Sequence, residues 1–277
     1  MKNKFFIFFL LLVLFTNVKG NSYAWDSLKM VEMPEWKKHF DDSNVKGTFV
    51  LYDQQKGKYF IYNKDRYDTR FLPASTFKIF NSLVALETKT VKNEKVVFEW
   101  DGFDRGNASW NVSQNMEHAF QNSTIWYYQE LAKKIGFKKM QEWIDKCNYG
   151  NKDITGGIDD FWLRGKLRIS AKEQVDFLKK LQADLLPFSK EVTETVKKIM
   201  IAEETINYTL RAKTGWADGV NPDLGWYVGY VERPKPGDKE KKKEYYYFAL
   251  NIDMASASQA EARKLIVRKI LTELKII

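Results

Sequence analysis

The chain has 277 residues, 44% apolar and 29% charged, enough to fill the core of one large domain without staples. A single cysteine, Cys147, excludes an internal disulfide, and with only two histidines, His39 and His118, and no HExxH or CxxC spacing, no zinc site is expected. The formal charge is +9, but its densest run, PKPGDKEKKKE at 234–244, alternates with acids, which reads as a solvated hairpin tip and argues against nucleic acid as a partner.

The chain opens MKNKFFIFFLLLVLFTNVKG, with Lys2 and Lys4 ahead of an apolar run from Phe5 to Phe15 and with Val18 and Gly20 as small residues at a cleavage site. Eleven apolar residues are short for a bilayer span, so residues 1–20 read as a secretory signal rather than a retained anchor. Cleavage would remove Lys2, Lys4 and Lys19 and no acid, lowering +9 to +6. Residues 21–277 are then expected to be one periplasmic domain with no stable membrane association, in which the free thiol of Cys147 is buried.

GTFVLYD at 47–53 and KYFIYN at 58–63 alternate as strands around the turn QQKG. A helix is expected over 74–87, and helical spacing returns at 123–136, 138–147, 170–182 and 189–201. Gly136 stops the second of these helices, and Ser170 with Glu173 forms a capping box for 170–182. Three strands follow at 208–216, 224–232 and 244–253, then a helix at 259–275. The plan is α+β: a central antiparallel sheet built from both chain ends, flanked by helices, with a mostly helical middle.

One stretch carries a chemical signal. FLPASTFKIFNSLVALE at 71–87 holds only Lys78 and Glu87, where the average composition would give about five charges. Ser75 and Lys78, three apart, share a helical face. A serine nucleophile needs a base; this chain has no GxSxG elbow and few histidines, but a lysine stripped of its charge by burial can serve. The alternative is a solvated strip, since Ser75, Lys78, Asn81 and Ser82 lie together, and SNVK at 43–46 shows that the spacing also arises by chance. A second signal is KTG at 213–215, ending a predicted strand: Lys213 and Thr214 offer a cation and a hydroxyl, and Gly215 permits close backbone approach to a ligand.

The motifs STFK (75–78), STI (123–125), YGN (149–151) and KTG (213–215), in this order and spacing, resemble those of class D, oxacillinase-type serine β-lactamases. WLRGKLRISAKEQVDFL (162–178), GWYVGYVE (225–232) and FALNIDM (248–254) extend the similarity over nearly all of residues 21–277. The second motif departs from Ser-x-Val, with Ile125 adding a methylene near the lysine. There is no SDN triplet, which disfavours class A.

The resemblance implies a serine β-lactamase/transpeptidase-like fold and a set of roles. Ser75 would be the nucleophile that becomes an acyl ester. Lys78 would carry carbon dioxide as N6-carboxylysine and act as general base, with no metal cofactor. Ser123 would relay a proton to the leaving nitrogen. Lys213, Thr214 and Arg263 would hold the substrate carboxylate, with Gly215 and Ile125 beside them. The backbone N–H groups of Ser75 and Trp216 would form the oxyanion hole. Trp162 would support the carbamate, Trp110 and Met116 would line the cleft, and Tyr149, Gly150 and Asn151 would shape the site.

Read without the resemblance, Trp162 is a core aromatic, residues 149–151 are a turn, Ser123 is a helix N-cap, Arg263 is a solvated helix residue and His118 sits on a polar helix face. The expected partners are β-lactams, hydrolysed through an acyl-serine with antibiotic resistance as the outcome; a homodimer stays open. The competing functions are a β-lactam sensor domain or a penicillin-binding protein, each acylated without turnover. A sensor would need a membrane transducer ahead of the domain, and substrate preference among β-lactams is not legible.

Overall fold

The computed structural model describes residues 29–277 apart from Lys239 and Lys241; the expected signal segment lies outside the described residues. In chain order the strands are β1 (Met30–Glu32), β2 (Lys46–Asp53), β3 (Lys58–Tyr62), β4 (Ile201–Glu204), β5 (Thr209–Ala217), β6 (Asp223–Pro234) and β7 (Lys243–Met254). The helices are α1 (Lys37–Asp41), α2 (Lys78–Glu87), α3 (Met116–Gln121), α4 (Ile125–Ile135), α5 (Phe137–Cys147), α6 (Ala171–Gln182), α7 (Lys190–Ile199) and α8 (Ala262–Glu273).

The strands form one sheet in the order β1-β3-β2-β7-β6-β5-β4, antiparallel throughout except for the β1–β3 pair. β2, from the first quarter of the chain, pairs with β7 from the last, Lys46 opposite Asp253, so both chain ends build the sheet as expected. Side-chain alternation then divides the core. On one face Phe49, Leu51, Phe248, Leu250 and Ile252 pack with Trp36, Phe40 and the apolar side of α8. On the other, Val50, Val228, Tyr247 and Ala249 join the larger cluster under α2, α4 and α6.

The capping box of α6 is present, with Ser170 and Glu173 each accepting from the other's backbone N–H. Gly136, at φ 79°, ends α4. Cys147 is buried, and desolvation pushes its thiol up to about 12. His118 is exposed on α3. The expected helix over 189–201 stops at Ile199, and the chain turns into the edge strand β4, whose four residues are too few to show a period. β1, α1 and α3 were not expected for the same reason. The closing helix begins at Ala262 after a separate 3₁₀ turn at Ala257–Gln259. Among the described residues no helix is long and apolar enough to cross a membrane.

Candidate active site

The first turn of the expected helix over 74–87 is a 3₁₀ helix, Ala74–Phe77, and it holds Ser75. Several elements pin it. Ala74, at φ 48°, donates its N–H to Trp162 O at 3.0 Å. Thr76 Oγ1 donates to Pro73 O at 2.7 Å and accepts from Gln174 Nε2 of α6 at 2.8 Å. From the sheet side Gly215 of β5 presses on the turn: a Cβ there would lie 3.1 Å from Thr76 Cγ2 and 3.2 Å from Pro73 O. Gly215 thus lets β5 lie close against the serine-bearing turn.

Lys78 opens α2, only 1% exposed, and its Nζ lies 2.8 Å from Ser75 Oγ. The strip of Ser75, Lys78, Asn81 and Ser82 is buried, because α4 covers it. Tyr128 of α4 puts its ring 5.2 Å from Lys78 Nζ, its hydroxyl shares a 2.9 Å hydrogen bond with Ser82 Oγ, and its carbonyl accepts from Asn81 Nδ2. Desolvation first, then the charge of Lys213, holds the Lys78 pKa well below that of an ordinary lysine. Burial thus favours the neutral amine over the ammonium at Lys78.

Ser123 lies between α3 and α4 at φ 57°, and the N-cap of α4 is Thr124, not Ser123 as the local pattern suggested. Lys213, 4% exposed, donates from Nζ to Ser123 Oγ at 3.0 Å and to Thr214 O at 3.1 Å. Burial, with Arg263 and Lys264 as neighbouring cations, lowers its pKa to about 7. Arg263 is 7% exposed rather than solvated: α8 begins over β5, so its guanidinium donates to Gly215 O at 2.6 Å and lies 5.9 Å from the Trp216 ring. Among the described residues no carboxylate forms an ion pair with Lys78, Lys213 or Arg263. Three buried bases converge without a counter-ion, an arrangement that suits an anionic ligand.

Trp162 is 1% exposed and stacks on Phe77 with ring centroids 5.4 Å apart; its buried Nε1–H has no partner among the described residues. Tyr149 is enclosed by Phe77, Phe80 and Phe177, one layer behind the serine turn. Gly150, at φ 55°, passes so close to Arg168 that a Cβ would stand 2.2 Å from its carbonyl oxygen. Asn151 Oδ1 accepts from Arg168 N at 2.9 Å, and its Nδ2 donates to Lys166 O at 2.8 Å. The three residues clasp the two ends of the loop that carries Trp162.

Trp110 is half-buried, donating Nε1–H to Asn122 O at 2.9 Å. Ile125 and Thr214 are also half-buried, and Trp216 is tied by Nε1–H to Asp223. Met116 has no exposed surface, so it packs the larger cluster and offers none to a cleft, contrary to expectation. A cavity of about 420 Å³ adjoins Lys213 and Thr214 but does not include Ser75. Among the described residues no group of three or more His, Cys, Asp or Glu is placed to hold a metal ion.

Residues 47–272 match the penicillin-binding protein transpeptidase domain family. The β-lactamase OXA-48 of Klebsiella pneumoniae is 40% identical over 246 residues, covering 89% of this chain and 90% of its own length. The β-lactamase OXA-20 of Pseudomonas aeruginosa is 42% identical over 264 residues, covering 94% and 95%. The crystal structure of FUS-1 (OXA-85), a class D β-lactamase from Fusobacterium nucleatum subsp. polymorphum, superposes with a TM-score of 0.84 at 40% identity, covering 89% of this chain and 100% of its own. The chain belongs to the class D β-lactamases.

As a class D β-lactamase it is a hydrolase that acts on β-lactams. Three neighbours of the β-lactamase site were not singled out from sequence: Tyr128 over Lys78, Gln174 on the serine turn, and Lys264 beside the cavity. Each has a helical position that fits an ordinary packed or solvated face. The missing signal was which helix or strand lies opposite, information that a local pattern does not contain.

Proposed function

We propose that residues 21–277 form one catalytic unit, exported to the periplasm by the signal at 1–20, that opens the β-lactam amide through an ester on Ser75 and then hydrolyses the ester, conferring β-lactam resistance. The observation that carries this reading is the 2.8 Å separation of Ser75 Oγ and Lys78 Nζ, with the lysine buried and its pKa well down. A neutral Lys78 side chain takes the proton of Ser75 as Oγ attacks the carbonyl carbon. The carbonyl oxygen gains the electron pair, and the N–H groups of Ser75 and Trp216 receive it. When the C–N bond breaks, the ring nitrogen takes a proton from Ser123 Oγ, which Lys213 Nζ at 3.0 Å can replace. Lys213, Thr214 and Arg263 supply the cations and hydroxyl for the substrate carboxylate. Once the Lys78 side chain has passed its proton to solvent and Lys213 has regained one, a water loses a proton to Lys78 and attacks the ester carbon, and that proton moves to Ser75 Oγ as it leaves.

Lys78 is further proposed to bind carbon dioxide as a carbamate on Nζ. The residues fit the group: only a neutral amine attacks carbon dioxide, and the orphaned Trp162 Nε1–H is a buried donor in need of an acceptor. Lys78, Trp162 and Ser75 would hold it, and when bound it supplies a carboxylate base in place of an amine.

Mass spectrometry of the protein mixed with benzylpenicillin, followed alongside loss of β-lactam absorbance, tests the reading. A transient adduct on Ser75 with many turnovers, and none in Ser75→Ala, is expected. A lasting stoichiometric adduct without turnover would instead make the protein a sensor or a penicillin-binding protein.

A further inference from the structure

β4 pairs with β5 only from Thr209 to Arg211, so from Lys213 onward the outer edge of β5 has no strand beside it. Along that edge the order is Trp216, Gly215, Thr214, Lys213, and then the cavity of about 420 Å³, floored by Phe120, Met200, Ile201 and Tyr227, with Lys264 at its side. A β-lactam whose carbonyl oxygen meets Trp216 N–H and whose carboxylate meets Thr214 and Lys213 lies along the strand, at about 3.3 Å per residue. Atoms beyond the carboxylate continue into the cavity. On a cephalosporin those atoms are the substituent at C3, the carbon next to the one bearing the carboxylate.

Lys264 adds a second cation to a cavity that Lys213 already borders. Its side chain is 53% exposed, and its ion pair is with the still more exposed Glu261 at 3.7 Å, an i,i+3 contact of the kind that contributes little and yields readily to a ligand. It is also near enough to Lys213 to lower that residue's proton affinity. We infer that this cavity receives the C3 substituent of cephalosporins and that Lys264 makes it favour anionic substituents over cationic ones. The inference rests on the acyl-serine reading for the orientation of the ring, and Lys264 acts as a specificity residue, apart from the chemistry.

Cefotaxime, ceftriaxone and cefepime share one acylamino side chain and carry a neutral, an anionic and a cationic group at C3. Their Kd values for the Ser75→Ala protein, read by isothermal titration calorimetry, report binding without chemistry, so this test stands even if turnover fails. Ceftriaxone should bind about threefold tighter than cefotaxime and cefepime about threefold weaker, as a part-exposed ion pair allows. Adding Lys264→Gln should level the series, and Lys264→Glu should invert it. The same ranking in all three proteins, or no saturable binding of any of the three, would overturn the inference.

Discussion

Lys78 and Lys213 are the same side chain in two settings. Lys78 begins a helix, is 1% exposed and lies 5.2 Å from the Tyr128 ring, and desolvation is the leading influence on its proton. Lys213 lies on a strand edge with the Ser123 hydroxyl and Thr214 O as acceptors, and its pKa settles near 7. Desolvation is the leading influence on both lysines; in the proposed mechanism it makes Lys78 a base, while the hydroxyl and carbonyl acceptors beside Lys213 suit the charged form that a substrate anion would fix. Position in the fold, more than residue type, divides the work between them.

Removing the base is the harshest way to break this comparison. Lys78→Ala should lower kcat by about 10³-fold, within the range for loss of a general base, with no loss of thermal stability, because a desolvated amine leaves with the side chain. Steady-state turnover of benzylpenicillin and a melting curve check both halves. Substantial residual turnover would place the base elsewhere.

The pH profile separates the two lysines. Lys213 is charged below about 7, so kcat/KM for a substrate carboxylate should fall as pH rises through that value. A bound carboxylate favours the ammonium, so the same limb in kcat should lie at higher pH. In the proposed mechanism Lys78 works in the opposite sense, because protonation at low pH would end its role as base and produce the acid limb. Lys213→Arg, with a charge that does not titrate, should remove the alkaline limb and leave the acid one; an unchanged alkaline limb would contradict the assignment.

The smallest effect sharpens the account of the Lys78 surroundings. Tyr128→Phe keeps the ring over Lys78 and loses the hydroxyl that meets Ser82 at 2.9 Å. About 1 kcal/mol of stability should go, by denaturant titration, with kcat reduced less than tenfold. Tyr128→Leu, which removes the ring, should shift the acid limb as well.

Much of this was legible in the chain. Periodicity supplied the long strands and helices, and the Ser75 to Lys78 spacing showed that the two share one face. It did not show that the face is buried, because a strip of serine and asparagine looks alike whether it meets water or another helix, and Tyr128 is 50 residues away in α4. Arg263 within AEARK carries no local sign that the helix begins over Gly215. Ser123 resembles an N-cap, but the cap belongs to Thr124, because Ser123 takes a left-handed conformation that serine spacing does not reveal. The four-residue edge strand β4, whose early end leaves the cavity open, is too short for a pattern.

The central proposal is that burial favours the uncharged Lys78 amine, which takes up carbon dioxide and works as a carbamate. The direct measurement is penicillin turnover after degassing in mildly acidic buffer, before and after bicarbonate is added at the same pH. The account predicts that activity falls on degassing and returns with bicarbonate, and that bicarbonate restores nothing in Lys78→Ala. Activity that ignores both degassing and bicarbonate would contradict it.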